Sequence, residues 1–317
     1  MTESQRNRLK NVILYILKNF SGGTDYIKLY KILYFANKKQ LAEIGFPIIY
    51  DNFKAWHYGP VPSFTGATLK SIENGDTPSR DMESFFKSLK VRKNKLVVGL
   101  EAPDCDIIPE YSRGILDGLV AKYKYRSSKE MSKESHDSAW IEAYYRNGKI
   151  LEGNHTIRPH FVAADAKAPD YLIDKVKILF SKNAEAHYNI SSGDEVLAAL
   201  EKAVLEIHYL LQLEDGWDGE GTYAIKEKAA QNCRNIIDLK RAHIEFVSDI
   251  YPTPAGNLSI DWNINGNIVS AEIGSRLMAF YCEALDKKDS YDSPTMEVGT
   301  ETSNALYDRI EYFCRKD

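Results

Sequence analysis

Apolar side chains recur at helical spacing through the first 45 residues. Leu9, Val12, Ile13, Ile16, Leu17 and Phe20 would share one face, which predicts a helix over residues 5–20. Ser21 and two glycines end it, and Thr24 is placed to cap a second helix over residues 25–43. Tyr26, Tyr30 and Tyr34 lie beside the apolar face of this second helix, so they would border either the core or a binding surface.

Residues 48–58 alternate apolar and polar side chains, which predicts a hairpin or bent strand. Gly59-Pro60 should stop that strand, because proline has no donor for a continuing ladder. Large aromatic residues carry much of core burial, so we expect Trp56 and Tyr58 to be core anchors, with one of them facing outward at most. His57 lies between them and should occupy the opposite, exposed face.

The next hundred residues predict mostly helices, over 62–72, 80–90, 111–126 and 128–144. Two short strands are expected at 95–100 and 106–109. The last helical segment breaks near Ser135, so His136 and Trp140 share a face only if the second part begins at or before His136. Otherwise His136 lies near the helix cap. Trp140, like the hairpin aromatics, is expected in the core.

The pattern weakens over residues 147–168, where glycine, proline and alanine predict a connection. Beyond it we predict helices over 170–182, 192–211, 225–237 and near the carboxyl end. Three strands are expected at 258–262, 268–273 and 276–282, the first two joined at Asn265-Gly266. The predicted class is α+β: a mostly helical domain at 1–155, a connecting segment at 156–190, and a domain at 191–317 with a three-stranded antiparallel sheet.

Composition is ordinary for a globular protein, with 44% hydrophobic and 27% charged residues in 317. No apolar run approaches the roughly 18 residues of a membrane span, and the amino terminus lacks a secretory signal, so we expect a cytoplasmic protein. Four scattered cysteines favour reduced thiols. Residues 1–155 carry 24 Lys and Arg against 18 Asp and Glu, or +6, whereas residues 156–317 carry 17 against 27, or −10. The halves could dock on one another or be two solvated surfaces.

Four elements, in this order along the chain, together resemble the Panacea domain of SocA-like bacterial antitoxins, over about residues 5–150. They are Lys28-Leu-Tyr-Lys-Ile-Leu-Tyr-Phe-Ala36, Phe53-Lys-Ala-Trp-His-Tyr-Gly-Pro-Val61, the predicted helix over 111–126, and the run from Met131 through His136 to Trp140. Residues 96–109 depart from the family pattern. The later half is similar only to an uncharacterised bacterial α+β domain, through its Gly-Trp-Asp-Gly loop.

The resemblance implies neutralisation of a separately folded toxin, encoded by the adjacent gene, and it brings no catalytic residues. The functional surface should then be a protein interface, where aromatic side chains dominate the binding energy. The candidates for partner binding are Tyr26, Tyr30, Tyr34, Trp56, His57, Tyr58, His136 and Trp140. A basic toxin would complement the acidic second half. Some members of the family are described as proteolytic adaptors, which leaves delivery of a toxin to a protease as an alternative.

No motif in the chain predicts an enzyme, a cofactor or a metal site. Nucleophile elbows, phosphate-binding glycine loops and His-Glu-x-x-His are absent from the sequence. The acidic loop at 214–221 fails the calcium-loop template, because Trp217 and Lys226 stand at ligand positions. Neither half has a basic recognition helix, so direct nucleic-acid binding is not expected. A second alternative stays open, in which residues 170–317 are an effector that the first half restrains. The oligomeric state is not predicted.

Overall fold

The computed structural model describes residues 1–146, 149–150, 155–181, 193–239 and 241–315. The chain divides into two compact units, Met1–Ala184 and Glu185–Asp317. Both contain helices and antiparallel strands, so the predicted α+β class is confirmed.

The first unit is built around one long helix, α2. Its helices are α1 (Glu3–Leu17), α2 (Tyr26–Ile44), α3 (Ser63–Asn74), α4 (Glu83–Ser88), α5 (Glu110–Tyr123), α6 (Ser128–Glu134), α7 (Ser138–Tyr144), α8 (Pro159–Asp165) and α9 (Asp170–Leu179). Helices α5, α6, α8 and α9 all pack against α2. The residue that caps α2 is Asp25, whose carboxylate accepts from the Lys28 amide at 3.0 Å, and not the predicted Thr24.

The strands of the first unit are short and antiparallel. They are β1 (Thr24–Asp25), β2 (Phe53–Trp56), β3 (Gly59–Pro62), β4 (Leu89–Arg92), β5 (Leu96–Gly99), β6 (Tyr145–Arg146) and β7 (Lys149–Ile150). β1, β5 and β4 form one sheet in that order, whereas β2–β3 and β6–β7 are separate hairpins. The strand predicted at 106–109 is wrong: a 3₁₀ turn over Cys105–Ile107 stands there, capped by Asp104, and β4 is the partner of β5 instead.

The described part of the predicted connecting segment, residues 156–181, lies in the first unit. Its helices α8 and α9 place apolar side chains in the same core as α2. Ala163 and Ala168 are buried there. Such short side chains give a weak hydrophobic pattern, which explains why this stretch resembles a linker in the sequence.

The second unit is a sheet with helices on one face. The helices are α10 (Gly193–Leu210), α11 (Glu227–Leu239) and α12 (Thr300–Cys314), and the strands are β8 (Val247–Pro252), β9 (Leu258–Ile264), β10 (Asn267–Ile273), β11 (Leu277–Glu283), β12 (Tyr291–Asp292) and β13 (Met296–Glu297). The strand order is β12-β11-β10-β9-β8, and β13 also pairs with β11. The three predicted strands are β9, β10 and β11, so the predicted three-stranded sheet was too small.

The central hairpin of this sheet turns where the sequence predicts. Asn265 and Gly266 have φ angles of 51° and 84°, the left-handed pair that a tight two-residue turn requires. The side chains of the covered face are buried under the helices, and the ring of Trp262 in β9 lies 6.5 Å from that of Tyr307 in α12.

Two kinds of feature are missing from the part of the chain that the structure describes. None of its helices is long and apolar enough to cross a membrane. Nor do three or more His, Cys, Asp or Glu side chains come together there in a way that could hold a metal ion.

Candidate functional site

The aromatic hairpin β2–β3 turns earlier than its sequence predicts. Trp56 pairs with Gly59, which leaves His57 and Tyr58 as a two-residue turn. Gly59 and Pro60 therefore begin the returning strand and do not end the first. The φ angle of Gly59 is +92°, a conformation that residues with a Cβ rarely adopt.

The turn displays its aromatic side chains to solvent. Trp56 is 45% exposed and Tyr58 is 63% exposed, so the expectation that they anchor the core is wrong. Alternation along β2 buries Phe53 and Ala55, which sends Trp56 to the opposite side. His57, expected to be exposed, is exposed.

Side chains from three helices hold the backbone of this hairpin. Each one donates a hydrogen bond to a carbonyl oxygen at or beside the turn. The three bonds run from Trp140 Nε1 in α7 to Trp56 O at 3.1 Å, from Ser132 Oγ in α6 to Tyr58 O at 2.8 Å, and from Lys31 Nζ in α2 to Pro60 O at 2.8 Å. Because the anchors lie in different helices, the hairpin tip is fixed to the body of the unit.

Lys31 is the least expected of these anchors. Its side chain is 1% exposed, and no carboxylate among the described residues forms an ion pair with it. Burial lowers the pKa of Lys31 to about 7. A Cβ on Gly59 would clash with Ser135 Oγ and would lie 2.8 Å from Lys31 Nζ, so this close approach favours a glycine.

A stack of rings supports the hairpin from behind. The His136 and Trp140 rings are 3.9 Å apart at 13°, and Trp140 and Tyr144 are 4.4 Å apart at 17°. Helix α7 begins after His136, with Asp137 as its cap, yet the His136 ring still stacks on Trp140. Burial, assisted by the nearby charge of Lys31, lowers the pKa of His136. Trp140 is buried, as predicted.

One aromatic residue beside the hairpin escaped the sequence-based prediction. Tyr145 is 46% exposed, and its ring lies 6.1 Å from that of Trp140. It pairs across β6–β7 with Ile150, which is 60% exposed, so their side chains share one side of that hairpin. The adjacent Tyr144-Tyr145 pair is the signal that could have revealed it, since one of two neighbours on a short element usually faces outward. We define the aromatic face as Trp56, His57, Tyr58, Tyr145 and Ile150.

The tyrosines of α2 lie mostly inside the unit. Tyr34 is 1% exposed and donates to Asp137 at 2.9 Å, and Tyr30 is buried as well. Tyr26 is half-buried, and its hydroxyl donates to the carbonyl of Leu69 at 3.1 Å. The structure thus brings the hairpin residues, His136 and Trp140 together, and it places Tyr30 and Tyr34 in the core.

Comparison with known proteins supports a relationship for this part of the chain. Residues 29–141 match the family model described as antitoxin SocA-like, Panacea domain, which confirms the resemblance expected from the motifs. The matched segment includes Lys31, the whole β2–β3 hairpin, Ser132 and Trp140. Neither the curated proteins nor the solved structures include a significant match to the chain.

Proposed function

We propose that this protein is an antitoxin that neutralises a cognate protein toxin by binding it directly. The match of residues 29–141 to the SocA-like antitoxin family carries the proposal. Under it the chain acts by occupying a surface of the toxin, without a catalytic step of its own. The toxin is the product of the adjacent gene.

We assign toxin binding to the aromatic face. Tryptophan and tyrosine side chains are enriched among the residues that dominate binding energy, and here they project from a backbone fixed by three hydrogen bonds. A tip that is already ordered loses little conformational entropy on binding, which favours affinity. Behind the tip, the buried Trp140 ring and the half-buried His136 ring stacked on it position the hairpin.

A growth assay tests the proposal. The neighbouring open reading frame is induced alone, with the full chain, or with the Trp56→Ala/Tyr58→Ala double variant. We expect the product to arrest growth alone, the full chain to restore growth, and the double variant to fail. Loss of such aromatic anchors costs about 2 kcal/mol or more, which weakens binding at least about 30-fold.

Leu100→Ala is the matched control, because Leu100 is 55% exposed and follows β5, in a different sheet. It should rescue growth like the wild type. A neighbouring product that is harmless, or a full chain that gives no rescue, would remove the antitoxin proposal. Full rescue by the double variant would be consistent with an antitoxin, but it would show that the toxin binds a surface other than the aromatic face. A fall in toxin abundance during rescue would indicate the adaptor mode.

A further inference from the structure

The sheet of the second unit has one face on which charged and aromatic side chains reach solvent, although the small Ser270 between them is buried. Register fixes which side chains share that face: Asp249, Asp261, Ser270, Tyr281 and Asp292 are consecutive partners in one row across β8, β9, β10, β11 and β12. Glu272 and Glu283 lie on the same side, two positions along their strands from members of this row. We call this surface the outer sheet face.

The outer sheet face carries negative charge without compensation. The 27 residues of β8, β9, β10 and β11 include no Lys or Arg. No ion pair involves the five carboxylates of the face within the residues that the structure describes. Neutral groups orient two of them: Ser270 Oγ donates to Asp261 at 2.5 Å, and Asn257 Nδ2 donates to Glu272 at 2.9 Å. Asp261 and Glu272 are therefore held in place but not neutralised.

One contact on this face opposes the stability of the sheet. Asp249 and Asp261 are direct partners across β8 and β9. Like charges in that position repel and destabilise a strand pair. Two acidic residues paired in this way, with no cation to offset them, are expected where a surface serves binding. A positively charged partner that binds there would relieve the repulsion.

The dimensions of the face indicate the class of ligand. The row from Asp249 to Asp292 crosses four gaps between neighbouring strands, which spans about 19 Å at roughly 4.8 Å per gap. A single metal ion holds its oxygen ligands within about 2.6 Å, so it cannot engage this row. Phosphate backbones would be repelled. Tyr281, the fourth residue of the row and 44% exposed, adds the amphipathic ring typical of protein interfaces.

We propose that the outer sheet face docks a Lys/Arg-rich surface of a protein partner. This deepens the proposed function and rests on it: the partner is the toxin that the aromatic face also contacts. The acidic face accelerates encounter by attracting the basic toxin, and the aromatic face supplies the anchors. Changes to the outer sheet face should therefore alter mainly the association rate constant, and changes to the aromatic face mainly the dissociation rate constant.

Two full-length triple variants, each removing three exposed carboxylates of the second unit, test the proposal. The face variant is Asp249→Asn/Glu283→Gln/Asp292→Asn, and the matched control is Glu206→Gln/Glu245→Gln/Asp308→Asn. Association of the product of the neighbouring gene is followed at about 50 and 200 mM salt, where screening differs strongly. We expect the face variant to associate about tenfold more slowly at low salt with a weaker salt dependence, and the control to stay within about twofold of wild type.

Equal association rates for the two triple variants would overturn the docking proposal while leaving the antitoxin function intact. Absence of any binding by wild type would instead refute the proposed function. Titration of a 20-residue oligolysine peptide into the same three proteins tests independently whether the outer sheet face binds positive charge. The peptide should bind the face variant at least about threefold more weakly than the control. Equal oligolysine affinities, or salt-sensitive self-association in place of partner binding, would overturn the proposal.

Discussion

Replacing Lys31 with methionine should change how the stability of the first unit depends on pH. Methionine keeps an unbranched apolar stem of similar length but removes the amine. Lys31 is 1% exposed, and its Nζ donates to the Pro60 carbonyl at 2.8 Å. Because burial lowers the pKa of this amine to about 7, the folded protein binds fewer protons than the unfolded chain between about pH 7 and pH 10.5.

The difference in stability between wild type and Lys31→Met should therefore change between about pH 10.5 and pH 7. Wild type loses stability as the pH falls from about 10.5 towards 7, and the Lys31→Met variant lacks this loss. A pKa lowered from 10.5 to about 7 corresponds to about 5 kcal/mol of unfolding free energy over the whole window. Between about pH 9 and pH 7 the stability of the variant relative to wild type should rise by roughly 2 kcal/mol. Leaving the Pro60 carbonyl without its donor costs about 1–3 kcal/mol at every pH, so it shifts the difference without changing its slope.

The full chain is unfolded with denaturant, and unfolding is monitored by hydrogen exchange of peptides from α2 and the β2–β3 hairpin. These peptides report the stability of the first unit separately from that of the second. Lys28→Met, one turn earlier on the same helix, is the matched control and should follow the wild-type pH dependence. A stability difference between wild type and Lys31→Met that stays constant from about pH 7 to pH 9 would refute the reasoning, because it would mean that the buried amine does not titrate in this window.

Two further substitutions test the hairpin anchors. Gly59→Ala should destabilise the first unit by about 3 kcal/mol, whereas Gly75→Ala, with φ +73° but open space around it, should cost only about 1 kcal/mol. Urea unfolding checks both values; equal losses would mean that the close approach to Ser135 is unimportant. Trp140→Phe removes the donor to the hairpin carbonyl and should destabilise by about 1–3 kcal/mol, with faster amide exchange in β2–β3. Unchanged exchange there would contradict the anchoring role.

Local patterns predicted much of the helical framework and the centre of the second sheet. The apolar spacing of α1 and α2 and the Asn265-Gly266 turn are determined by nearby residues, so the sequence reveals them. The small strands β12 and β13 have only two residues each and depend on pairing with β11, which no local signal encodes.

The aromatic hairpin shows why the candidate site was only partly predictable. The sequence identified Trp56, His57 and Tyr58, but it placed the turn two residues too late. The correct register depends on donors that come from Lys31, about 25 residues earlier, and from α6 and α7, more than 70 residues later. Lys31 has a charged side chain that the helical pattern would place at the surface, but residues 29–37 of α2 are all buried, and the hairpin strand β3 packs against this helix.

Hydrogen exchange of the purified complex tests the central claim most directly. The full chain is purified with the product of its neighbouring gene, and amide exchange is compared with and without that product. We predict a stable stoichiometric complex in which peptides carrying Trp56, His57, Tyr58 and Tyr145 become protected. A stable complex that leaves these peptides unchanged would contradict the assignment of the aromatic face, and failure to form a complex would contradict neutralisation by direct binding.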